Sequence, residues 1–596
     1  MAESPIPDKS IYVSLSIKIE GKEIDDTYQV KEVETFKAVN RIPKAHILIY
    51  DGSVSKSDFE ISNSETFLPG KSVEIKAGYE SGSETIFKGL IIKHELQLRR
   101  GKNFLMVECR DDTIKMTTVR KNGFFTEMKD SDVISKLIGD AGLQADVEST
   151  AVDLSEVVQY YVSDWDFILI RAERNGLLVM VSDGTVSVQK PDLSSNPDLK
   201  LTYGIDIIDF NAVMNAENQV DSVKSFSWDI DNQSLIEGDA NTPESVQGNV
   251  SVTNLSEAVS APDYRQQSAG LFEKKQLEDW SASKLMRTSI SAYKCRFKFQ
   301  GNEKATVGSM IEIAGMGNRF NGNAFISSVR HVIKGGDWQT EVHTGMDSDW
   351  FSEEVMNIES PPAAGLNASV QGFHYGVVKQ IHEDPESQFR VLVELPLMEN
   401  QDDGIWARLA TFYASSDFGA YFMPEQGDEV IVGFMNDDPD FPVIIGSLYS
   451  KKRKPTSDYT PDEKNTKKAI VTSSLLTVEF DDENKIITIK TPAENIICIS
   501  DKDESITITD QHKNSGTFSA DGISLDSKSD ISIKAAGNID VHAGGNLTMK
   551  ADANVDVSGM QISNSADTSF SAKGNATAEL STSGQCTVKG AMVMIN

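Results

Sequence analysis

Asp530-Ile-Ser-Ile-Lys-Ala-Ala-Gly537, Asn538-Ile-Asp-Val-His-Ala-Gly-Gly545, Asn546-Leu-Thr-Met-Lys-Ala-Asp-Ala553 and Asn554-Val-Asp-Val-Ser-Gly-Met-Gln561 run on without a break. Laid out in eights, they place apolar residues second and fourth in every line. Ile531, Ile539, Leu547 and Val555 form one column; Ile533, Val541, Met549 and Val557 form the other. Residues two apart share a face of extended chain, so each unit reads as a short strand followed by a turn of small residues. One coil of a single-chain solenoid needs two or three strands, so a unit of this length cannot enclose a core alone. Its apolar face must be covered from outside, and other copies of the same chain are the most economical cover.

The eight-residue order sets in at Ile523 and Leu525, one unit before Ile531 and Ile533. Past Val557 it slips by one residue and continues: Ile562, Phe570, Ala578 and Cys586 form a column, with Asn564, Ala572, Leu580 and Val588 two residues later. The Ser/Thr/Gly/Ala composition here would by itself describe a disordered tail. Periodicity held from residue 523 to 588 argues instead for an ordered repeat. Ile562, Phe570, Leu580 and Val588 carry the apolar part of this half, whose other inner positions are small or polar. A thinner, partly hydrated core is therefore expected there.

The chain has 596 residues, length for roughly four domains at about 150 residues each. Its formal net charge is −33, which disfavours duplex nucleic acid or an anionic membrane as a partner. The basic cluster Lys451-Lys-Arg-Lys454 stands beside Pro455 and reads as linker. Cys109, Cys295, Cys498 and Cys586 are far apart, so neither a disulfide framework nor a zinc site is expected. The opening Met-Ala-Glu-Ser-Pro-Ile-Pro lacks the charged and apolar regions of a signal peptide, and no run reaches the ~18 apolar residues of a membrane span. Synthesis in a reducing cytoplasm, and exit by a route that reads no N-terminal signal, are the expectations.

From Ile11 to about Val119 the pattern alternates, as in Ser14-Leu-Ser-Ile-Lys-Ile-Glu20 and Asn103-Phe-Leu-Met-Val-Glu-Cys-Arg110, and suits a small antiparallel barrel. Residues 131–142 switch to a helical period, with Ser131 expected as cap and Gly142 as stop. A second helix starts at Ser163-Asp-Trp-Asp-Phe167 and ends at Asn175-Gly176. Asp164 and Asp166 could be imagined as paired catalytic carboxylates, but acids are favoured at a helix N-terminus by the macrodipole alone. Residues 231–267 look loop-rich, and residues 277–288 read as a helix. His331 and His343 lie on adjacent expected strands; without a third ligand they read as surface histidines, not a metal pair.

Pro361-Pro-Ala-Ala-Gly365 marks a domain boundary. Beyond it, five short strands separated by Gly and Pro suit an OB-type barrel: 373–381, 389–396, 405–410, 427–434 and 442–448. Glu394, Asp428 and Glu429 take the place of a basic-aromatic face, so a nucleic-acid ligand is disfavoured. The expected segments are a β-rich stretch with helical insertions at 1–362, the OB barrel at 366–450, a linker at 451–469 and the octad-bearing stretch at 470–596.

A β-rich hub, an OB barrel and an octad tail in this order resemble VgrG, the spike of type VI secretion systems and related extracellular contractile particles. The pattern is also similar to a phage tail hub and cell-puncturing spike fused into one chain. The resemblance is carried by Ser163-Asp-Trp-Asp-Phe167, Gly427-Asp-Glu-Val-Ile-Val-Gly-Phe434, Asp437-Asp-Pro-Asp-Phe-Pro-Val-Ile-Ile-Gly-Ser-Leu-Tyr449 and Val588-Lys-Gly-Ala-Met-Val-Met-Ile-Asn596. It implies a mainly β fold and a parallel homotrimer, in which residues 1–362 form a pseudo-sixfold hub on the inner tube and baseplate, with two related barrel subdomains per chain, and three tails of residues 470–596 intertwine as a triple-stranded β-helix needle. It implies a PAAR-type tip protein on Met592, Val593, Met594, Ile595 and Asn596, possible effector cargo, only transient contact with the target membrane, and export in the contractile particle. Residues 449–469 are too few for the lysozyme domain that the phage counterpart carries, and no effector extension follows Asn596. No catalytic residue, cofactor or metal is expected. The alternative is a β-helical tailspike that degrades or binds polysaccharide. Cleavage would need paired carboxylates beside aromatic platforms. The octads have no Trp or Tyr, and Asp530, Asp540, Asp552 and Asp556 fall on the solvated face.

Overall fold

The computed structural model describes residues 2–6, 12–80, 82–240, 247–260, 263–398 and 404–595. Ile11, where the first alternating stretch was expected to begin, and Asn596 at the expected tip lie outside the described residues. The chain divides into two compact units, Met1–Leu448 and Tyr449–Asn596.

Met1–Leu448 is dominated by one 13-stranded sheet that contains the same arrangement twice. In the first repeat, neighbouring strands are Val30–Ala38, Lys44–Tyr50, Lys102–Arg110, Glu84–Arg99, Ser72–Tyr79 and Val13–Ile19. In the second they are Ile207–Met214, Tyr293–Gln300, Asp337–Thr344, Gly322–Lys334, Met310–Ala314 and Leu199–Thr202. The correspondence extends to register. Val30 and Glu32 flank a bulge opposite Lys44–Tyr50, and Ile207 and Asp209 flank one opposite Tyr293–Gln300. The sixth strand is the difference, antiparallel in the first repeat and parallel in the second. The repeats join where residues 328–334 lie antiparallel to Val30–Ala38.

Each repeat buries its own apolar face. Ile47, Ile75, Phe87 and Val107 are among the core of the first; Phe297, Phe299, Ile311 and Val342 are among that of the second. Gly301 lies beneath Trp338 and donates its backbone N–H to the Trp338 carbonyl at 2.8 Å. A Cβ there would come within 2.1 Å of the indole.

An insertion follows Lys102–Arg110. It holds the ribbon of Arg120–Lys129 with Asp153–Ser163, the helices Asp130–Asp140 and Asp164–Arg174, and a small three-stranded sheet. The first helix starts one residue before the expected cap: Lys129 is the N-cap, and Ser131 is buried, its N–H donating to Thr150 Oγ1. The second is capped by Ser163, whose oxygen accepts the Asp166 N–H at 3.1 Å, and ends before Asn175 and Gly176, the latter at φ +73°. Another insertion separates Ile207–Met214 from Tyr293–Gln300, where the first repeat has only a short connection. The expected loop at 231–267 is more ordered than its composition suggests: it contains Ser234–Ala240, Val252–Ala258 and Asp263–Ser268. The two strands flank Ser222–Asp229. Their inner face meets the helix Lys274–Ser291 through small and polar groups, such as Ser225 Oγ beside Ser281 Oγ at 2.7 Å, so no apolar alternation marks them.

His374–Gln380, Val391–Glu394, Ile405–Leu409, Pro442–Ser447 and Glu429–Phe434 close a five-stranded barrel around Val378, Val391, Val393, Ala407, Val430, Val432 and Ile444. In the loop before its second strand, Asp384 accepts the backbone N–H groups of Glu386, Gln388 and Arg390 and the Arg390 guanidinium. The Arg390 side chain holds that carboxyl far below the usual carboxylate range.

Tyr449–Asn596 contains a seven-stranded antiparallel meander: Lys467–Val471, Thr477–Asp481, Ile486–Lys490, Ile496–Ser500, Ser505–Thr509, Ser515–Ser519 and Gly522–Asp526. Its first strand starts inside the stretch read as linker. Side chains close the turns: Asp481 accepts the Asn484 N–H, Ser500 that of Asp503, and Asp510 those of His512 and Asn514.

Candidate functional site

The meander is two-faced because each five-residue strand puts its second and fourth residues on the same side. Cross-strand pairing aligns these positions: Phe480 with Ile487, Ile487 with Ile499, Ile499 with Ile506, and Ile506 with Phe518. Val478, Ile489, Ile497 and Ile508 form a parallel row, and Phe518 pairs with Ile523. Glu479, Thr488, Cys498, Thr507 and Thr517 line the other side. Within the single chain Phe480, Ile487, Ile489, Ile497, Ile499, Ile506, Ile508 and Phe518 remain 39–51% exposed. These residues are missing from the expected columns, because their spacing of about ten residues differs from eight. The shared second-and-fourth pattern was the signal that links them to the octads.

The sequence-expected core residues continue that face. Ile523 and Leu525 stand on the last strand of the meander. Beyond Asp526 no backbone ladder pairs any described residue within the chain. Ile531, Ile533, Ile539, Val541, Leu547, Met549, Val555, Val557, Ile562, Phe570, Leu580 and Val588 are 52–80% exposed. Met592, Val593, Met594 and Ile595 are exposed as well. Strand pairing and burial, both expected of the octads, are thus absent from the single chain among the described residues. An extended segment with two apolar columns can satisfy its backbone and cover its side chains together only by pairing with further strands.

A cleft of about 1000 Å³ lies in the hub and is lined by Arg41, Lys44, Trp165, Glu173, Arg287 and Lys294, among others. Its charges are largely matched: Arg41 with Glu354 at 3.2 Å, Lys294 with Asp347 at 2.8 Å and Arg287 with buried Glu173 at 2.6 Å. Glu173 also accepts the Phe351 N–H at 2.9 Å. Burial pushes the Glu173 carboxyl up, against the pull of Arg287. The Arg287–Glu173 pair fixes the helix Lys274–Ser291 to Asp164–Arg174, and the charged contacts do not converge on an open point where a substrate atom could sit.

Asp164 is buried, held by Lys121 and by Gln159 at 2.9 Å, whereas Asp166 accepts from the Ser163 hydroxyl at 2.6 Å. Each has its own partners. His331 is a core residue, not a surface one: its Nδ1 is 2.9 Å from Thr340 Oγ1, and burial drives its pKa down to about 3. His343 is about half exposed on the neighbouring strand, opposite Ser328. No group of three or more potential ligands gathers among the described residues. No helix of the described residues is long and apolar enough to cross a membrane.

The family model of the Alg8 N-terminal domain matches residues 9–335, and that of the type VI secretion system/phage-baseplate injector OB domain matches residues 374–449. The type VI secretion system spike protein VgrG3 of Vibrio cholerae is 36% identical over 75 residues, 13% of this chain and 7% of the relative. Spike protein VgrG5 of Pseudomonas aeruginosa is 30% identical over 101 residues, 16% of this chain and 13% of the relative. The matched stretches are therefore a small part of those relatives' length. Among solved structures, the prophage MuSo2 43 kDa tail protein from Shewanella oneidensis aligns at 9% identity and TM-score 0.45, over 56% of this chain and 98% of its own. The Francisella PdpA-VgrG complex, half-lidded, aligns at 11% identity and TM-score 0.37, over 87% and 88%.

Proposed function

This chain belongs to the Alg8 N-terminal domain family and is a VgrG-type spike chain, and from that premise we propose that it forms the trimeric central spike of a contractile injection machine. Met1–Leu448 would sit on the inner tube and baseplate, and three copies of Tyr449–Asn596 would intertwine as the needle. The observation that carries this reading is the apolar face running from Phe480 through Ile523 and Leu525 into the octad columns, uncovered in the single chain. Three copies turned inward would bury it and supply the missing ladder partners.

The role is mechanical. Sheath contraction drives the tube forward, and the needle concentrates the force on a small area of the target envelope. Strands that cross between chains resist extraction because many backbone bonds and apolar contacts must break together. A PAAR-type tip protein would seat on Met592, Val593, Met594 and Ile595, whose exposed apolar side chains need a cap. Effectors would travel on the tip or the needle, and the chain itself would perform no catalysis. Export would follow from riding in the contractile particle. Static light scattering tests the assembly: the expected mass is roughly three times 65.4 kDa. A clean monomer at micromolar concentration sinks the proposal.

A further inference from the structure

Composition marks a domain boundary at Pro361-Pro-Ala-Ala-Gly365, yet the chain on both sides of it is fastened along its length. On the hub side, cations grip backbone oxygens. Lys284 donates to the Ser348 carbonyl at 3.0 Å, and Arg287 donates to that of Asp349. Both side chains also stand over the Trp350 ring, 5.4 Å and 5.6 Å from its centre. Phe351 is buried and gives its N–H to Glu173, and Glu354 pairs with Arg41. Arg120 then takes three successive carbonyls: Nη1 donates to Ile358 at 2.9 Å and to Glu359 at 2.7 Å, and Nη2 donates to Asn357. The same Nη1 donates to the Tyr161 carbonyl at 3.0 Å, on the strand that leads into the helix Asp164–Arg174.

On the barrel side, a turn is packed into place. Pro362–Gly365 lies against Met435–Asp437, the turn between two barrel strands, and Ala363 is fully buried. Val370 donates its N–H to the Asp437 carbonyl at 2.8 Å, and Asn367 Nδ2 reaches the carboxylates of Asp438 and Asp440 at 3.4 Å and 3.3 Å. Ala363 and Ala364 stand at φ +49° and +53°, in the left-handed region that a Cβ disfavours. Such backbone persists only where its surroundings hold it. Between the last Arg120 contact and this turn stand Ser360 and Pro361, and the ring of Pro361 fixes its φ. Little freedom remains at the joint.

We propose that residues 348–370 form a locked coupling that carries axial thrust from the hub to the barrel, with Arg120 as the positioning residue that locks it. A connector that behaves as a random coil gives way under a push. One whose backbone is held at both ends moves with the bodies it joins. Arg120 suits the task because its planar fork serves several acceptors at once, and a charged donor makes stronger bonds than a neutral one. Its acceptors are backbone oxygens, so the grip does not depend on the side chains of the strap. The thrust belongs to the spike reading above; the locked joint stands without it.

The full chain with Arg120→Ala, and separately with Arg120→Lys, is compared with the parent and with Arg319→Ala, which removes an arginine bonded to Asn249 outside the coupling. Cleavage after Glu359 by glutamyl endopeptidase, followed by mass spectrometry, reads the joint. Arg120→Ala should be cut there about tenfold faster than the parent, because proteolysis follows the opened population. Arg120→Lys should fall between them, since a single ammonium cannot span the same carbonyls, and Arg319→Ala should match the parent. Electron-microscope images of the trimers read the consequence: the spread of angles between hub and needle should roughly double in Arg120→Ala, as at a released hinge. Cleavage at the parental rate in Arg120→Ala overturns the proposal. Faster cleavage with an unchanged spread shows a local clip and overturns the coupling. Where Arg120→Ala does not fold, Arg120→Lys is judged by the same two criteria. A parent of monomeric mass sinks the spike reading instead, and the cleavage rates alone then decide the joint.

Discussion

His331 shows how a single side chain couples hub stability to acidity. Its ring is fully enclosed beside Trp338 and Thr340, so the neutral form is the folded one, and its pKa falls from the ordinary 6.5 to about 3. The unfolded chain takes up the proton first as pH drops. The contribution is therefore complete above pH 6.5 and is lost progressively as pH falls toward about 3, at roughly 1.4 kcal/mol per pH unit. In urea melts between pH 7 and pH 4, His331→Gln should flatten this dependence relative to the parent; parallel slopes would refute the assignment. Arg287 acts through another buried charge. Arg287→Ala leaves the Glu173 carboxylate enclosed with mainly the Phe351 N–H as partner, and a loss of about 3–5 kcal/mol in hub stability is expected. Gly301→Ala forces a methyl into the Trp338 ring and should cost about 1–3 kcal/mol, read from the same melts.

At the scale of the element, the meander and the octads solve one problem in two ways. In the meander, neighbouring strands of the same chain satisfy the backbone, and only the apolar face remains to be covered. In the octads, neither a backbone ladder nor burial of the columns is found within the chain among the described residues. Ile539→Asp with Val541→Asp would put six like charges into one layer of a trimer, at a large desolvation cost. Light scattering should then show loss of the trimer mass, with the hub melt unchanged. A double variant that still trimerises through its needle would show that these columns do not point inward. The helix ends carry a smaller lesson. The sequence left the cap of the second helix between Ser163 and Asp164, and the structure gives it to Ser163, whose oxygen accepts the Asp166 N–H. Ser131 stood in a similar place in the sequence, but one extra helical residue before it moved it into the first turn.

For the whole molecule, a net charge of −33 favours solubility through mutual repulsion of chains that carry an exposed apolar face. An intertwined needle would make the assembled form kinetically stable as well, since no strand leaves without opening many pairs. Unheated samples in sodium dodecyl sulfate should run as a trimer and boiled samples as a monomer. A monomer band in both would speak against intertwining, even if the native mass is that of a trimer.

Local pattern by itself determined the strands, their turns, the five-stranded barrel and the octad columns, because two-residue alternation and turn chemistry act over a few neighbours. Glu429–Phe434 and Pro442–Ser447, for example, lie within the stretches read as strands. It did not reveal the ordered strands within 231–267, where burial falls on Gly238 and Gln266 and leaves no apolar period. It also misplaced His331, since a histidine on an alternating strand reads alike on either face. Only the tertiary structure decided which edges meet. Joining residues 328–334 to Val30–Ala38 brings together segments some three hundred positions apart, and nothing in either segment names its partner. The duplication is likewise a matter of bulges, turns and register, and backbone hydrogen bonds preserve these while the side chains on them diverge.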